Sequence, residues 1–279
     1  MKRIHSRTGL STAPLSELQL RFLSAGFAAK MRRPNESCEG GFMLRTRGNK
    51  IIWLGHATFK IITPSGKVVL IDPWVTSNPK CPEALKKFDR IDVMLITHGH
   101  GDHIGDALAL ARQHKPQIPC IYETALWLGS KGISTALPMS KGGTQKAGEI
   151  EVTMVHAIHS NGIEDDGKIV YGGEPCGYVV RLPGGLTLYH AGDTAVFGDM
   201  KIIGELYSPE LAMLPIGDLF TMSPREASLA IRLLNVRHVV PMHYGTFPVL
   251  TGTPEDLRNL TQDIAGLEIH ALKPGEALG

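Results

Sequence analysis

From Asn49 onward the apolar positions fall into short β-rich runs. Residues 50–54 and 57–63 are the first two, and Pro64-Ser65-Gly66 turns the chain into a third over 67–72, which predicts an opening meander. Residues 91–97 (IDVMLIT) are continuously apolar, the pattern of a strand covered on both faces. Residues 104–114 carry helical spacing and stop before Pro116. Another strand is predicted over 149–158. Residues 178–182 and 186–190, joined by Pro183-Gly184-Gly185, predict a hairpin, and 211–216 a further buried strand.

Ser223-Pro224-Arg225-Glu226 is a capping box with proline at the first helical position, so a helix starts there and runs through 227–234. A strand over 236–242 follows. Thr253-Pro254 opens the last helix, Gly266 ends it, and 267–272 is the final strand. A meander first and strand–helix alternation later predict mixed sheets covered by helices, an α+β fold. Residues 131–146, rich in Gly, Ser and Thr, and residues 161–174 read as loops that shape a pocket.

Residues 1–42 have a different texture, with seven Lys/Arg against three Asp/Glu, whereas the remainder carries 22 against 24. They read as a flexible leader outside the core, either an arm that packs on a partner or sequence upstream of a later start at Met43. Residues 43–279 are then a single domain. The net charge of +2 belongs to the leader, and the acidic body offers no basic patch for a nucleic acid. Cys38, Cys81, Cys120 and Cys176 lie far apart without a CxxC pair, which reads as reduced thiols in a cytoplasmic setting. No apolar run approaches the length of a membrane span.

Histidine usage carries the chemistry. Three of the 12 histidines fall in Thr97-His98-Gly99-His100-Gly101-Asp102-His103, directly after the buried strand 91–97. Four nitrogen and oxygen ligands within six residues, separated by glycines, make a loop that can fold inward around an ion. Imidazole and carboxylate suit Zn, Mn or Fe, whereas Ca or Mg would want mostly oxygen. Gly99 and Gly101 remove side-chain bulk where the backbone is expected to bend tightly.

One loop does not complete a two-ion site, and further ligands are expected at other strand exits. His159 ends the strand 149–158, Asp193 follows the hairpin in Ala191-Gly192-Asp193-Thr194, and His243 follows 236–242. His156 competes with His159; three residues apart on a strand, the two point to opposite faces. His159 is preferred because Ser160-Asn161-Gly162 follows it, and His156 is then a core imidazole or one that supports a ligand. His56, in Gly55-His56-Ala57-Thr58, is expected either to face a substrate or to hold a turn. His190, just before the Gly-Asp turn, is expected to orient a ligand. His5, His114, His238 and His270 have no motif around them and read as surface or core residues.

The order and spacing of HGHGDH at 98–103, His159, Gly192-Asp193-Thr194 and His243 resemble those of the metallo-β-lactamase-fold hydrolases. Trp53-Leu54-Gly55-His56-Ala57-Thr58-Phe59, Tyr189-His190-Ala191, Leu214-Pro215-Ile216-Gly217-Asp218 and Pro241-Met242-His243-Tyr244 narrow the resemblance to a metal-dependent hydrolase branch akin to the ascorbate-6-phosphate lactonases. That branch often has Asn after the His-Tyr pair, where this chain has Gly245.

The resemblance covers about residues 49–279. It implies a four-layer αββα sandwich with the site at the common edge of two sheets. It also implies one ion on His98, His100 and His159, and a second on Asp102, His103 and His243, with Asp193 bridging. The expected activity is metal-dependent hydrolysis of an ester, lactone, amide or phosphodiester bond in a small molecule. A hydroxide held between two divalent ions, most readily Zn, would attack, and Asp102 would orient it and take its proton. Nuclease-type phosphodiesterases and iron redox enzymes share the scaffold and are the alternatives. The redox relatives generally carry a carboxylate where His100 stands. Relatives of this fold commonly assemble, so a homo-oligomer is among the expected partners.

Overall fold

The computed structural model describes residues 43–279, and the leader expected over 1–42 lies outside the described residues. β1 (Lys50–Trp53), β2 (Phe59–Ile62) and β3 (Val68–Ile71) pair antiparallel in chain order as the expected meander, and β4 (Val93–Leu95) lies parallel to β3. α1 (Gly101–Ile104) and α2 (Ala107–His114) follow, and β5 (Ile118–Ile121) joins β4 through a parallel bridge between Val93 and Gln117. After α3 (Tyr122–Ser130), β6 (Ala136–Met139) pairs in parallel with β5.

A second, seven-stranded sheet starts with β7 (Thr144–Ala147) and β8 (Ile150–His156). A separate hairpin of β9 (Gly162–Asp165) and β10 (Lys168–Tyr171) intervenes before β11 (Cys176–Arg181) and β12 (Thr187–His190) continue the sheet antiparallel. α4 (Met200–Tyr207), β13 (Leu211–Pro215), α5 (Pro224–Leu234), β14 (His238–Met242), α6 (Pro254–Asn259) and β15 (Glu268–Ile269) then alternate, and these strands add in parallel. β16 (Ala277–Leu278) returns to close the edge of the first sheet against β1.

The two-residue period of each strand sorts its side chains into layers. Ile51, Phe59, Ile61, Val69, Val93 and Leu95 of the first sheet meet Val152, Met154, Tyr178, Val180, Met213 and Val240 of the second in one core between the sheets. Ile52, Leu70 and Met94 point the other way, onto Ala107, Leu110, Ala125 and Leu128 of α2 and α3. On the far side Val155, Val179, Ala212 and Val239 pack against Met200, Ile203, Ala230, Ile231 and Leu257 of α4, α5 and α6. Burying each such aliphatic side chain contributes about 1.5–3 kcal/mol. The result is the αββα sandwich that the resemblance implied.

The wholly buried Tyr178 of the second sheet donates its hydroxyl to the Ile96 carbonyl at 2.7 Å, and Cys176 N donates to Thr97 O. Both contacts fasten the exit of β4, where the histidine loop begins, to the opposite sheet.

Several expectations change in detail. The helix expected over 104–114 is broken at Asp106, whose carboxylate accepts from Val75 N at 2.6 Å and Thr76 N at 2.9 Å, so its side chain serves the β3–β4 loop. The last helix stops at Asn259 rather than Gly266, and the strand expected over 267–272 is only Glu268–Ile269. The segments read as loops over 131–146 and 161–174 take in β6, most of β7 and the β9–β10 hairpin. The capping box forms as expected: Glu226 N donates to Ser223 Oγ, and Ser223 N donates to Glu226 Oε2 at 2.9 Å.

Candidate metal centre

The centre lies where strand exits from both sheets meet. β4 leads into Thr97 and His98, and α1 is a single turn that carries Asp102 and His103. Ile158 and His159 lie beyond β8, Asp193 beyond β12 and His243 beyond β14. Gly99 admits the neighbouring segment closely: its N–H donates to Asn161 Oδ1 at 2.7 Å, and an added Cβ would sit 2.3 Å from Ile163 Cγ1. Among the described residues Gly101 meets no such neighbour, so of the two glycines only Gly99 is required by packing there.

One buried carboxylate at the exit of β3 organises the loop. Asp72 accepts from Thr97 N at 2.8 Å, Thr97 Oγ1 at 2.7 Å and His103 Nδ1 at 2.8 Å. A carboxylate only accepts, so the Thr97 hydroxyl spends its proton on Asp72 and accepts in turn from His98 Nδ1, 3.0 Å away. His98 and His103 therefore both carry a proton on Nδ1 and turn Nε2 inward. Sequence reasoning missed Asp72; the same strand-exit criterion that found Asp193, applied to Ile71-Asp72-Pro73, would have found it.

Two groups of donor atoms converge. His98 Nε2 and His159 Nε2 lie 3.1 and 3.3 Å from His100 Nδ1, and the three residues could hold an ion. On the other side Asp102, His103 and His243 form a second such group together with His56. Asp193 Oδ2 sits between the groups, 3.2 Å from His103 Nε2, 3.0 Å from His243 Nε2, 3.7 Å from His159 Nε2 and 3.9 Å from His98 Nε2. The structure thus brings together all seven residues at which ligands were expected. His156 is not among them. It is exposed at the end of β8, 2.9 Å from Lys141 Nζ, and so is neither the core imidazole nor the ligand support expected of it.

His56 is fully buried, with Nδ1 2.9 Å from Thr246 Oγ1 and Nε2 3.0 Å from Asp102 Oδ2. His190 makes its hydrogen bonds to backbone: Gly192 N donates to its Nδ1, and its Nε2 lies 3.0 Å from Ala57 O, which braces the turn that carries Asp193. His56, Asp72 and His243 all hold left-handed backbone, with φ of 56°, 50° and 55°, a conformation that costs non-glycine residues energy and gathers at functional sites.

The electrostatics favour a cation. Burial pushes the pKa of His98 well below its ordinary value and lowers those of His100 and His159, so these rings are neutral donors of a lone pair. Burial likewise lowers His56 to about 4, against the pull of Asp102. Burial would raise Asp193, but the imidazoles of His103 and His243 outweigh it and hold the carboxyl well below the usual range. His103 resists its own burial because Asp193 and Asp72 flank it, which holds its pKa well up.

The fit of a metal to this set can be judged from what the side chains lack. Among the described residues, His103 Nε2, His243 Nδ1 and Nε2, and Asp193 Oδ1 are buried without a hydrogen-bond partner. Orphaned buried polar atoms cost about 1–3 kcal/mol each. Here they are concentrated where imidazole and carboxylate atoms face one another at 3.0–3.9 Å. The donor set suits a borderline transition ion.

An αββα sandwich with clustered histidines and carboxylates at its sheet edge defines a metallo-β-lactamase-fold hydrolase. Residues 67–244 match the family described as the beta-lactamase superfamily domain. A UPF0173 metal-dependent hydrolase of Koribacter versatilis is 56% identical over 230 residues, 82% of this chain and 97% of the relative. One from Solibacter usitatus is 57% identical over 229 residues, 81% of this chain and 98% of the relative. The chain belongs to the UPF0173 metal-dependent hydrolases of the beta-lactamase superfamily. Among solved structures it resembles Igni18, described as a novel metallo hydrolase from Ignicoccus hospitalis, with a TM-score of 0.72 and 35% identity over 82% of this chain and 97% of that one.

Proposed function

We propose that this metal-dependent hydrolase holds two divalent ions, one on His98, His100 and His159 and one on Asp102, His103 and His243, with Asp193 shared between them. Zn is the expected ion, and Mn or Fe suits the same donors. The observation that carries the reading is the position of Asp193 Oδ2 among four imidazole nitrogens, next to buried polar atoms that lack partners. Two such ions, when bound, supply Lewis acidity and lower the pKa of water towards ~7.

The rest of the chemistry belongs to the chain. The Asp102 side chain is the most open of the acidic groups here, 30% exposed against 3% for Asp193, so it is the carboxylate that meets an incoming water and takes its proton. His56 holds Asp102 through Oδ2, and this fixes the carboxylate's orientation. Wholly buried and engaged at both ring nitrogens, His56 acts through Asp102 rather than on the substrate. The Asp72–Thr97 network keeps His98 and His103 in the tautomer that a ligand needs.

The bond cleaved is an ester, lactone, amide or phosphodiester of a small molecule. The acidic body supports a small substrate over a nucleic acid. The cytoplasmic setting is part of the same reading, and buried free thiols at Cys81, Cys120 and Cys176 support it. Among the described residues, no helix is long and apolar enough to cross a membrane. We read 43–279 as the catalytic domain, since about four-fifths of this chain matches nearly the whole length of its relatives.

The test is a hydrolysis screen over those four bond classes, on protein with its metal and after chelation. Turnover that disappears with the chelator and returns with added Zn or Mn supports the reading. Turnover that is indifferent to the chelator contradicts it.

A further inference from the structure

We propose that His238, Glu268 and His270 form a metal site separate from the catalytic centre, which takes zinc or a similar late divalent ion and fastens β15 to β14. Neither histidine has a motif in the sequence; the backbone brings them together. His238 opens β14, and in the parallel register its direct partner on β15 is Glu268. His270 N donates to Val239 O at 2.8 Å, which places its ring two residues beyond Glu268 on the same face.

The donor atoms form a nearly regular triangle. His238 Nδ1 lies 3.2 Å from His270 Nε2 and 3.5 Å from Glu268 Oε2, and the last two atoms are 3.7 Å apart. A tetrahedral ion with ligand bonds of about 2.0–2.1 Å spaces its ligand atoms about 3.3–3.4 Å apart. A carboxylate that simply accepted from an imidazole would stand closer, at about 2.7–2.9 Å. Glu268 approaches neither ring that closely. It stands instead where a third ligand would. The His238 side chain is 6% exposed, whereas His270 and Glu268 are 18% and 43% exposed, so the site opens on solvent and water can complete the coordination.

Two imidazoles and a carboxylate match zinc and its neighbours in the late first-row series. The site is independent of catalysis by position. His238 begins β14 and His243 lies just past its end, some five residues or about 16 Å away along the strand. β15 has only two residues at the edge of the seven-stranded sheet, and a metal bridge to β14 supplies the fastening that so short a ladder lacks.

The test uses the full chain, dialysed against excess zinc, freed of loose metal and counted by elemental mass spectrometry. Wild type is expected to carry one more ion per chain than His270→Ala and one more than Glu268→Gln. The part of the zinc-induced rise in Tm that accompanies this ion should vanish in both variants. Glu268→Gln preserves size and shape, and circular dichroism checks that each variant is folded. Equal zinc content in wild type and both variants overturns the proposal. Because the readout is a difference, it does not depend on how many ions the catalytic centre holds.

Discussion

Asp72 Oδ2 lies 2.8 Å from Nδ1 of His103, with both side chains wholly buried, and this contact sets which nitrogen of His103 faces the centre. The same carboxylate oxygen takes the Thr97 hydroxyl, which in turn sets His98. One aspartate outside the ligand set thus orients a histidine of each group.

Asp72→Asn keeps the shape but offers an amide that donates where only an acceptor fits. It should lower zinc affinity by about 10–100-fold while the protein stays folded. Competition with a chromophoric chelator measures this, and unchanged affinity would show that the ligands orient themselves.

Asp102→Ala should abolish hydrolysis, with circular dichroism unchanged, because it removes both a donor to one ion and the group that takes the proton. His56→Ala should reduce kcat more than it raises KM, since His56 acts through Asp102. A rise in KM alone would return His56 to a substrate contact.

The two glycines of the histidine loop separate packing from flexibility. Gly99→Ala drives a methyl into Ile163 and should destabilise by about 1–3 kcal/mol. Gly101→Ala meets open space in a helical turn and should be neutral or stabilising by up to about 1 kcal/mol. Paired thermal melts decide; equal effects would contradict the close approach at Gly99.

Asp92 provides a pH dependence away from the centre. Its partial burial would raise its pKa, but Arg90, Val68 N and Lys67 outweigh this and lower it. A depressed folded pKa means that the stabilisation is complete above the unfolded value, about 3.9, and fades as pH falls through the lower folded one. Asp92→Asn should therefore lower Tm near neutral pH and shrink that difference in acid. A constant offset across the range would contradict it.

The legible part of this chain is the part that is contiguous or periodic. HGHGDH announces itself because four ligand residues share six positions, and His159, Asp193 and His243 follow from the strands that precede them. Asp72 was missed because a lone Asp-Pro reads as a turn. The His238–Glu268–His270 triangle depends on strand register, which the sequence does not display. α4 was missed because Gly204 interrupts its pattern; a Cβ there would meet Leu234 O at 2.4 Å, so the glycine serves packing against α5 and does not break the helix. The β9–β10 hairpin shows no apolar alternation: β9 is mostly polar, and in β10 Ile169-Val170-Tyr171 is a continuous apolar run with Ile169 and Tyr171 exposed.

Whether the centre holds two ions is decided by metal content, read by elemental mass spectrometry on protein purified without chelators or added metal. The measurement is best done in the His270→Ala background, where the edge site is disabled. About two divalent ions per chain, Zn or Mn, are expected, and both should be lost when Asp193→Ala is added. A chain that holds no metal and takes up none on titration, or that keeps both ions without Asp193, would contradict the two-ion centre.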